Sequence, residues 1–302
     1  MKDIVSGLFH DTYSQRLSQN PELVKLLLGF AVFREPVQPG TALSVVDSSV
    51  GVQDRPVRTA LGTLMRQYLL QTSDGSQYIL HPLVAVYIKD YYAESDQQTL
   101  KNAHIKAAQH YMGQYRMSYS RGEKQQHVMI EAIWHRSQAQ DYQDAYNLMR
   151  NEKIFDDLQR WKNPEALLEL LLLLDKSYLE PGQSAYIYNY QGRICYALGR
   201  RVQAKAYYQD ALHLSRDAGE RALEGEALND LGTLYFDQGC YDQALAFFLV
   251  AKELFEIMHS PRREIVQDHI RMLSEKVNEK HYKQLLKMVE ENRWTAPMKR
   301  LH

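Results

Sequence analysis

The feature that most constrains this chain is a block of residues that occurs twice. A glycine is followed by a second glycine seven positions later, and then by alanine, an aromatic residue and alanine at positions 12, 16 and 19. The members are Gly192, Gly199, Ala204, Tyr208 and Ala211 in one copy, and Gly232, Gly239, Ala244, Phe248 and Ala251 in the other. Small residues let two helices approach closely, and an aromatic ring fills the remaining space. The spacing therefore predicts two helix–turn–helix units over residues 184–258.

The two blocks resemble the tetratricopeptide repeat, whose pattern is W-x2-L-G-x2-Y, then A-x3-F, then P. The second copy matches this pattern at Leu231, Gly232, Tyr235, Ala244, Phe248 and Ala251. In the first copy Gln191 replaces the leucine and Cys195 replaces the tyrosine, and neither copy ends on proline. The resemblance implies stacked helix pairs that form an α-solenoid.

The residues at 21–95 are predicted to form a winged-helix domain. Apolar residues recur at helical spacing in three segments, 21–33, 41–46 and 55–67. The residues expected to point inward are Leu23, Leu26, Leu27, Phe30 and Phe33 in the first segment, and Val57, Leu61, Leu64 and Met65 in the third. Two β-prone runs joined by Asp74-Gly75 then predict a hairpin.

A further helix is expected to begin at Pro82 and to complete this domain. Its apolar residues at helical spacing, which we expect to face the core, are Leu83, Val86, Tyr87 and Tyr91. Three helices, a hairpin and a closing helix are the elements of a winged helix.

The rest of the chain is expected to extend the solenoid on both sides of the regular repeats. Residues 96–180 are predicted to be degenerate helical repeats, because the segment 140–145 has a sequence similar to that of 239–244. Helices at 259–292 would cap the solenoid with a polar outer face. A helical lead-in is expected at 1–20 and a frayed tail at 293–302. The predicted fold is therefore mainly α: a winged-helix domain followed by a tetratricopeptide-like α-solenoid.

Composition excludes several classes of protein. Of the 302 residues, 45% are hydrophobic, which is too many for a mainly disordered chain. The net charge is −1, so no general positive field attracts nucleic acid or anionic lipid. The longest apolar run, Ala166–Leu174, is too short to span a bilayer. Cys195 and Cys240 lie inside the repeats and are expected to be small buried apolar residues rather than a disulfide or a metal pair. No signal peptide is evident, so we expect a reducing cytoplasm.

No pattern of catalytic or metal-binding residues is present. His104 and His110, like His127 and His135, lack the i,i+4 spacing that places two ligands on one helix face. Neither H-E-x-x-H nor G-x-S-x-G occurs. We therefore expect surface or packing histidines and no enzymatic activity.

A winged helix followed by helix pairs is similar to the C-terminal half of STAND signal-transduction NTPases of the NB-ARC type. The segments that carry this resemblance are 8–13, 23–33, 66–70 and Leu80-His81-Pro82. It implies that His81 matches the histidine of a Met-His-Asp-like motif, which reaches the phosphate of ADP. The alternative is that His81 caps the end of the hairpin before a helix that begins with proline.

This chain lacks the nucleotide-binding module of that family. No G-x-x-x-x-G-K-[ST] occurs, and no glycine is followed by lysine, so no loop is built to hold phosphates. We expect no cofactor in this chain, and ATP or ADP only in a full-length parent with an NTPase module in cis or in trans. The chain is expected to be a fragment of such a parent rather than a naturally short relative.

The repeats offer the best candidate for a partner-binding surface. If Tyr188, Gly192 and Cys195 face the partner helix, another face of each first helix faces the groove of the solenoid. The residues on that face are Asn189, Arg193 and Tyr196 in the first copy, and Asn229, Thr233 and Phe236 in the second. An amide can donate to and accept from a peptide backbone, so the repeated asparagine favours a protein or peptide ligand. Alternatively, the asparagine is an exposed helix residue repeated by common descent.

Two functions remain in competition. The first is a sensor region of a STAND-type regulator, in which the solenoid binds a protein or peptide and the winged helix relays that state. The second is a transcription regulator whose helix at 55–67, with Arg58 and Arg66, enters DNA. Six basic residues face seven acids over residues 21–94, and this balance argues against DNA.

Overall fold

The computed structural model describes residues 21–46, 54–72, 74–120, 126–151, 164–277 and 279–290. Contacts divide the chain into two compact units, Met1–Leu148 and Met149–His302. The lead-in predicted at 1–20 and the tail predicted at 293–302 lie outside the described residues. The fold is mainly α-helical, as predicted, and the described strands do not form a closed sheet.

The first unit begins with a group of helices around a hairpin. Its elements are α1 (Pro21–Ala31), α2 (Pro39–Ser44), α3 (Arg55–Arg66), β1 (Leu70–Thr72), β2 (Tyr78–Leu80) and α4 (Pro82–Ser95). Helices α2, α3 and α4 each carry proline at their first or second position, where a missing N–H removes no helical hydrogen bond. Helix α1 contacts α2, α3, α4 and β2, so it forms the centre of this group.

The hairpin pairs β1 with β2 in antiparallel register, Leu70 opposite Leu80. Gly75 in the turn has φ of 74°, a value that glycine adopts without strain. The segment after α1 joins the hairpin through Val37, whose N–H donates to the carbonyl of Tyr78 at 2.9 Å. Three helices, a bridging segment and a two-stranded hairpin therefore follow one another along the chain, and the winged-helix assignment stays a prediction.

The predicted core of α1 is confirmed, but two predictions of inward-facing residues are wrong. All five apolar residues predicted to face inward from the first helical segment are buried. In α4, by contrast, none of the four predicted residues is buried: Leu83 is 53% exposed, Tyr91 is 47% exposed, Val86 is also exposed and Tyr87 is partly exposed. The residues of α4 that are buried instead are Val84 and Ile88. Apolar residues lie on most sides of α4, so their spacing does not identify the stripe that is buried when α4 packs on α1. Met65 of α3 is also exposed, at 39%, because Val57, Ala60 and Leu64 form the buried stripe.

The remaining helices are α5 (Gln97–Ser120), α6 (Gln126–Gln138), α7 (Tyr142–Asn151), α8 (Pro164–Leu172), α9 (Pro181–Ala197), α10 (Arg201–Asp217), α11 (Arg221–Asp237), α12 (Tyr241–Ile257), α13 (Arg262–Lys276) and α14 (Glu279–Glu290). In the first unit α5 pairs with α6. In the second unit α9 pairs with α10 and α11 with α12, while α13 packs against α12. The domain boundaries predicted at 95 and 180 stay predictions.

The second unit is a tetratricopeptide-like solenoid with a regular period. Helices α9, α10, α11 and α12 each contain 17 residues. The residues between successive helices that have positive φ are Gly199, Gly219, Gly239 and His259, which are 20 positions apart. The 40-residue sequence repeat is therefore two half-repeats of equal length. Helix α9 contacts α11, and α11 contacts α13, so the first helices of successive pairs lie side by side.

The glycine and aromatic residues of the repeat are in direct contact, as their spacing predicts. A Cβ atom at Gly192 would lie 2.5 Å from two ring carbons of Tyr208, and one at Gly232 would lie 2.5 Å from a ring carbon of Phe248. Tyr208 and Phe248 are buried. Each ring thus packs on helix backbone, and only glycine leaves room for it.

Candidate functional site

The candidate site lies where the first helices α9, α11 and α13 run side by side. Arg193 on α9 donates through Nε to Oδ2 of Asp230 on α11 at 2.6 Å, and its Nη2 lies 3.3 Å from Oε2 of Glu226. Arg262 on α13 forms an ion pair with the other oxygen of Glu226. The two carboxylates of α11 therefore join all three first helices.

The charges at this site stabilise one another. Burial opposes the charge on Arg193, but the attraction of Asp230 and Glu226 outweighs it and raises the pKa of Arg193 above its ordinary value. The side chain of Arg193 is 25% exposed and that of Glu226 is 9% exposed, so solvent screens this pair only partly. Two guanidinium groups face two carboxylates, which leaves the site without net charge.

A cleft of about 560 Å³ opens at this network. Its lining residues are Tyr190, Arg193, Glu226, Asn229, Asp230, Phe255, Arg262, Ile265 and Val266. The charged residues come from α9, α11 and α13. The apolar wall is formed by Tyr190, Phe255, Ile265 and Val266, of which Ile265 is the exposed one. A cleft with an apolar wall and a few fixed polar groups can bind a segment of another molecule.

Asn189 and Asn229 occupy equivalent positions in the two repeats but have different environments. Asn189 is 1% exposed, and its Nδ2 donates to Oδ2 of Asp230 at 3.2 Å. Asn229 is partly exposed and lines the cleft, and its Oδ1 lies 2.8 Å from Nδ1 of His269. Asn189 therefore holds two helices together, whereas Asn229 is accessible from the cleft.

The other predicted groove residues lie on the same helices but outside the cleft lining. The hydroxyl of Tyr196 donates to Oδ2 of Asp237, and Arg201 lies over its ring at 4.1 Å from the centroid. Thr233 donates from Oγ1 to its own helix, at the carbonyl of Asn229. The ring of Phe236 lies 5.7 Å from that of Tyr241. The structure thus brings only Arg193 and Asn229 together at the cleft.

Three residues of the network did not emerge from sequence reasoning: Glu226, Asp230 and Arg262. Glu226 and Asp230 are four residues apart on α11, a spacing that places them on one helix face. This spacing indicates that the two carboxylates can share a partner, so the sequence did contain a signal for this pair. Arg262 was not predictable, because it belongs to α13, outside the repeated blocks.

His81 occupies the position that its capping role predicts. It is the N-cap of α4, and its Nδ1 accepts a hydrogen bond from the N–H of Leu83 at 3.4 Å. Contact with a nucleotide phosphate remains a prediction for a longer parent protein.

Among the four histidines whose spacing was considered in the sequence, two form a buried pair in the first unit. Nδ1 of His104 lies 2.9 Å from Nδ1 of His135, and the two residues are 2% and 0% exposed. Burial lowers the pKa of His104 to about 3 and holds the pKa of His135 well below its ordinary value. Both are therefore neutral packing residues near pH 7. Among the residues that the structure describes, no three His, Cys, Asp or Glu side chains are grouped to hold a metal ion.

Comparison with known proteins supports the repeats of the second unit. Within the described ranges, no helix is long and apolar enough to cross a membrane. No curated protein matches the sequence. One similar solved structure is that of a Signal Transduction ATPase with Numerous Domains (STAND) protein with a tetratricopeptide repeat sensor from Pyrococcus horikoshii. The two proteins are 15% identical in sequence, with a TM-score of 0.36. The match covers 96% of this chain and 59% of the Pyrococcus horikoshii chain, so this chain spans less than two thirds of the length of that protein. A family model described as Tetratricopeptide repeat matches residues 165–257, which confirms the predicted repeats.

Proposed function

We propose that this chain is a non-catalytic sensor region whose repeats bind a protein or a peptide in the cleft between α9, α11 and α13. The observation that carries the proposal is the cleft itself. It combines an apolar wall with Asn229 and with ion pairs that are already formed in the free protein. Preformed polar contacts lower the cost of ordering side chains when a ligand binds.

The charge balance of the cleft limits what kind of segment it binds. Because Arg193 and Arg262 are neutralised by Glu226 and Asp230, the cleft does not select a ligand by net charge. Recognition would come from an apolar side chain against Ile265 and from backbone hydrogen bonds. Affinity should therefore change little with salt concentration.

Asn229 is the residue best placed to bind a peptide backbone. Its Oδ1 contacts His269, and no hydrogen bond of its Nδ2 is found among the described residues, so Nδ2 can donate to a ligand carbonyl. Asn189 is buried, so we expect it to stabilise the packing of α9 on α11 rather than to bind a ligand. Tyr196, Thr233 and Phe236 would extend the surface along α9 and α11 for a longer partner.

The helices and hairpin of residues 21–95 would relay the bound state to an NTPase module in a longer protein. What supports this is the order of the elements in this part of the chain. In that parent His81 would approach the phosphate of ADP or ATP. The free thiols Cys195 and Cys240 suit a reducing cytoplasm.

The test begins with a peptide selected on the full chain from a displayed library of random 12-residue peptides. Calorimetry then compares its affinity for wild type, Asn229→Ala and Gln203→Ala. Gln203 is an exposed amide on α10, outside the cleft lining, so its substitution is a matched control. We expect Asn229→Ala to weaken binding about tenfold, the loss of one hydrogen bond, and Gln203→Ala to bind like wild type.

Two results would contradict the proposal. One is equal affinity of the selected peptide for wild type and for Asn229→Ala. The other is a steep fall of affinity between low and high salt, which would show that net charge rather than the apolar wall governs binding.

A further inference from the structure

A second cavity lies in the first unit, between the segment after α1, the hairpin and α5. Its volume is about 610 Å³, which is within the range of cavities that bind small molecules. The polar side chains of its lining are Glu35, Gln38, Thr41, Gln77, His110 and Gln114. All of them belong to Met1–Leu148, so this cavity is separate from the cleft in the second unit and does not depend on the proposed peptide binding.

A β-bridge beside the hairpin brings two of the lining glutamines together. The N–H of Val37 donates to the carbonyl of Tyr78 at 2.9 Å, and the N–H of Tyr78 donates to the carbonyl of Val37 at 2.8 Å. This antiparallel bridge places the next residues, Gln38 and Gln77, opposite one another. Neither amide side chain forms a hydrogen bond with another described residue, so both can bind a ligand.

One turn of α5 supplies another wall of the cavity. The amide nitrogen of Gln114 lies 2.8 Å from Nε2 of His110. Burial lowers the pKa of His110, so its ring is neutral near pH 7 and can accept this hydrogen bond at Nε2. The amide oxygen of Gln114 is left to accept a hydrogen bond from a ligand.

Tyr111, a buried residue of the lining, has a hydroxyl without a partner. Tyr111 is 4% exposed, and its hydroxyl forms no hydrogen bond with any described residue. Burial, and then the charges of Glu131 and Glu35, raise the pKa of Tyr111, so the carboxylate of Glu35 lies close enough to act on this hydroxyl. A buried polar group without a partner is unfavourable, and a ligand that donates to it would remove that penalty.

The cavity carries a single negative charge. Its lining contains one carboxylate, that of Glu35, and no lysine or arginine. Among the described residues Glu35 has no ion pair. Its neighbour Arg34 donates to both oxygens of Glu131 and lies 4.2 Å from the centre of the Trp134 ring, so the charge of Arg34 is neutralised by Glu131. Because His110 is neutral, the charge of Glu35 remains without a counterion.

A primary ammonium group matches this lining. It is positively charged and has three N–H donors. The acceptors around the cavity are the carboxylate, three glutamine amide oxygens and the hydroxyls of Thr41 and Tyr111. A metal ion fits less well, because within the described ranges no three His, Cys, Asp or Glu side chains are grouped to hold one. An anionic or neutral ligand would leave Glu35 without a counterion.

We propose that this cavity binds a primary amine, whose ammonium group pairs with Glu35 and donates to the glutamine amides and to the hydroxyl of Tyr111. The amine is either a small free molecule or the lysine side chain of a protein, since both present the same group. The experiment separates these two sources.

The experiment titrates the full chain with putrescine and, as a neutral control, with butanediol, which has a carbon chain of the same length. Nuclear magnetic resonance of the histidine-labelled chain follows the ring signals of His110, which lines the cavity, and of His81, which does not. A ligand this small binds in the millimolar range. We expect putrescine to shift the His110 signals and not those of His81, and butanediol to bind about tenfold more weakly.

Glu35→Gln removes the negative charge and keeps the shape of the side chain. The matched control is Glu94→Gln, because Glu94 is an exposed acid of α4 outside the cavity lining. We expect Glu35→Gln to weaken putrescine binding about fivefold, which is the contribution of one ion pair that is partly exposed to solvent. Glu94→Gln should bind like wild type.

Tyr111→Phe tests the buried hydroxyl separately. Because this hydroxyl has no partner in the free chain, its removal should not lower the melting temperature. Putrescine affinity should nevertheless fall about threefold, the effect of one neutral hydrogen bond. Unchanged affinity would overturn the contact with Tyr111.

A second pair of probes identifies the source of the amine. These are lysine with its amino and carboxyl termini blocked as amides, and norleucine blocked in the same way. If the blocked lysine binds at least as tightly as putrescine, the ligand is a lysine side chain of a protein. Tighter binding of putrescine assigns the cavity to a free amine.

The proposal is overturned if neither putrescine nor the blocked lysine shifts the His110 signals. It is also overturned if butanediol binds as tightly as putrescine, or if Glu35→Gln binds putrescine like wild type.

Discussion

Replacing Gly232 by alanine tests the packing that defines the repeat. The new Cβ would lie 2.5 and 2.6 Å from two ring carbons of Phe248, which is 1% exposed and has no room to move away. Overpacking of this kind costs about 1–3 kcal/mol, whereas alanine in a helix gains roughly 0.5–1 kcal/mol over glycine. We expect a net loss of about 1–2 kcal/mol.

Gly62→Ala is the matched control, because a Cβ there meets nothing within 4 Å. This variant should gain roughly 0.5–1 kcal/mol in local stability. Native-state hydrogen exchange measures both changes, since slowly exchanging amides of α11 and α3 report opening of each region separately. Adding Phe248→Leu to Gly232→Ala should make the loss smaller than the sum of the single effects.

The account of the repeat would be refuted if Gly232→Ala stabilised α11 as Gly62→Ala stabilises α3. That result would mean that the glycine does not serve the approach of the aromatic ring.

Three further predictions concern the buried groups. Asp230→Asn should lower the free energy of unfolding by about 2 kcal/mol in urea denaturation, because Arg193 loses a charged acceptor, and Arg193→Met combined with it should cost less than the sum. Burial holds the folded pKa of His104 at about 3 and that of His135 well below the unfolded value of about 6.5, so stability should be lost as pH falls below about 6.5, by up to about 1.4 kcal/mol per pH unit for each histidine. His104→Gln should make this pH dependence shallower in urea titrations, and an unchanged slope would contradict the assignment. Gly29→Ala should destabilise the first unit by at least about 3 kcal/mol in thermal unfolding, since its Cβ would lie 2.1 Å from a backbone carbonyl oxygen of α2.

The solenoid was predictable because one local pattern determines its geometry. A glycine and an aromatic residue 16 positions later fix how two helices cross, and both lie within one repeat. The same logic found the hairpin, where Asp74-Gly75 specifies the turn. Short-range rules suffice when the contacts are close in sequence.

The site was only partly predictable because its environment comes from the next helix. Asn189 and Asn229 occupy equivalent positions, but α11 offers Asp230 to the first and α13 offers His269 to the second. The spacing of a repeat gives equivalent backbone positions, not equivalent neighbours. Which amide is accessible therefore depends on residues about 40 positions away.

The face of α4 and the histidine pair show two other limits. The apolar residues of α4 lie on most sides of the helix, so their spacing does not identify the buried side. Only the contact of α4 with α1 determines that Ile88 is buried and Leu83 is exposed. His104 and His135 are 31 residues apart and meet across two helices. No spacing rule within one helix finds such a pair.

The central claim is that a partner's apolar side chain packs in the cleft of the second unit, and two exposed isoleucines test it most directly. Ile265 lines the cleft and is 53% exposed, while Ile257, at the end of α12, lies outside the cleft lining and is 56% exposed. Burial of such a side chain contributes about 1.5–3 kcal/mol, so calorimetry with the selected peptide should show at least a tenfold loss for Ile265→Asp. Ile257→Asp should bind like wild type. Equal affinities of the two variants would contradict the claim.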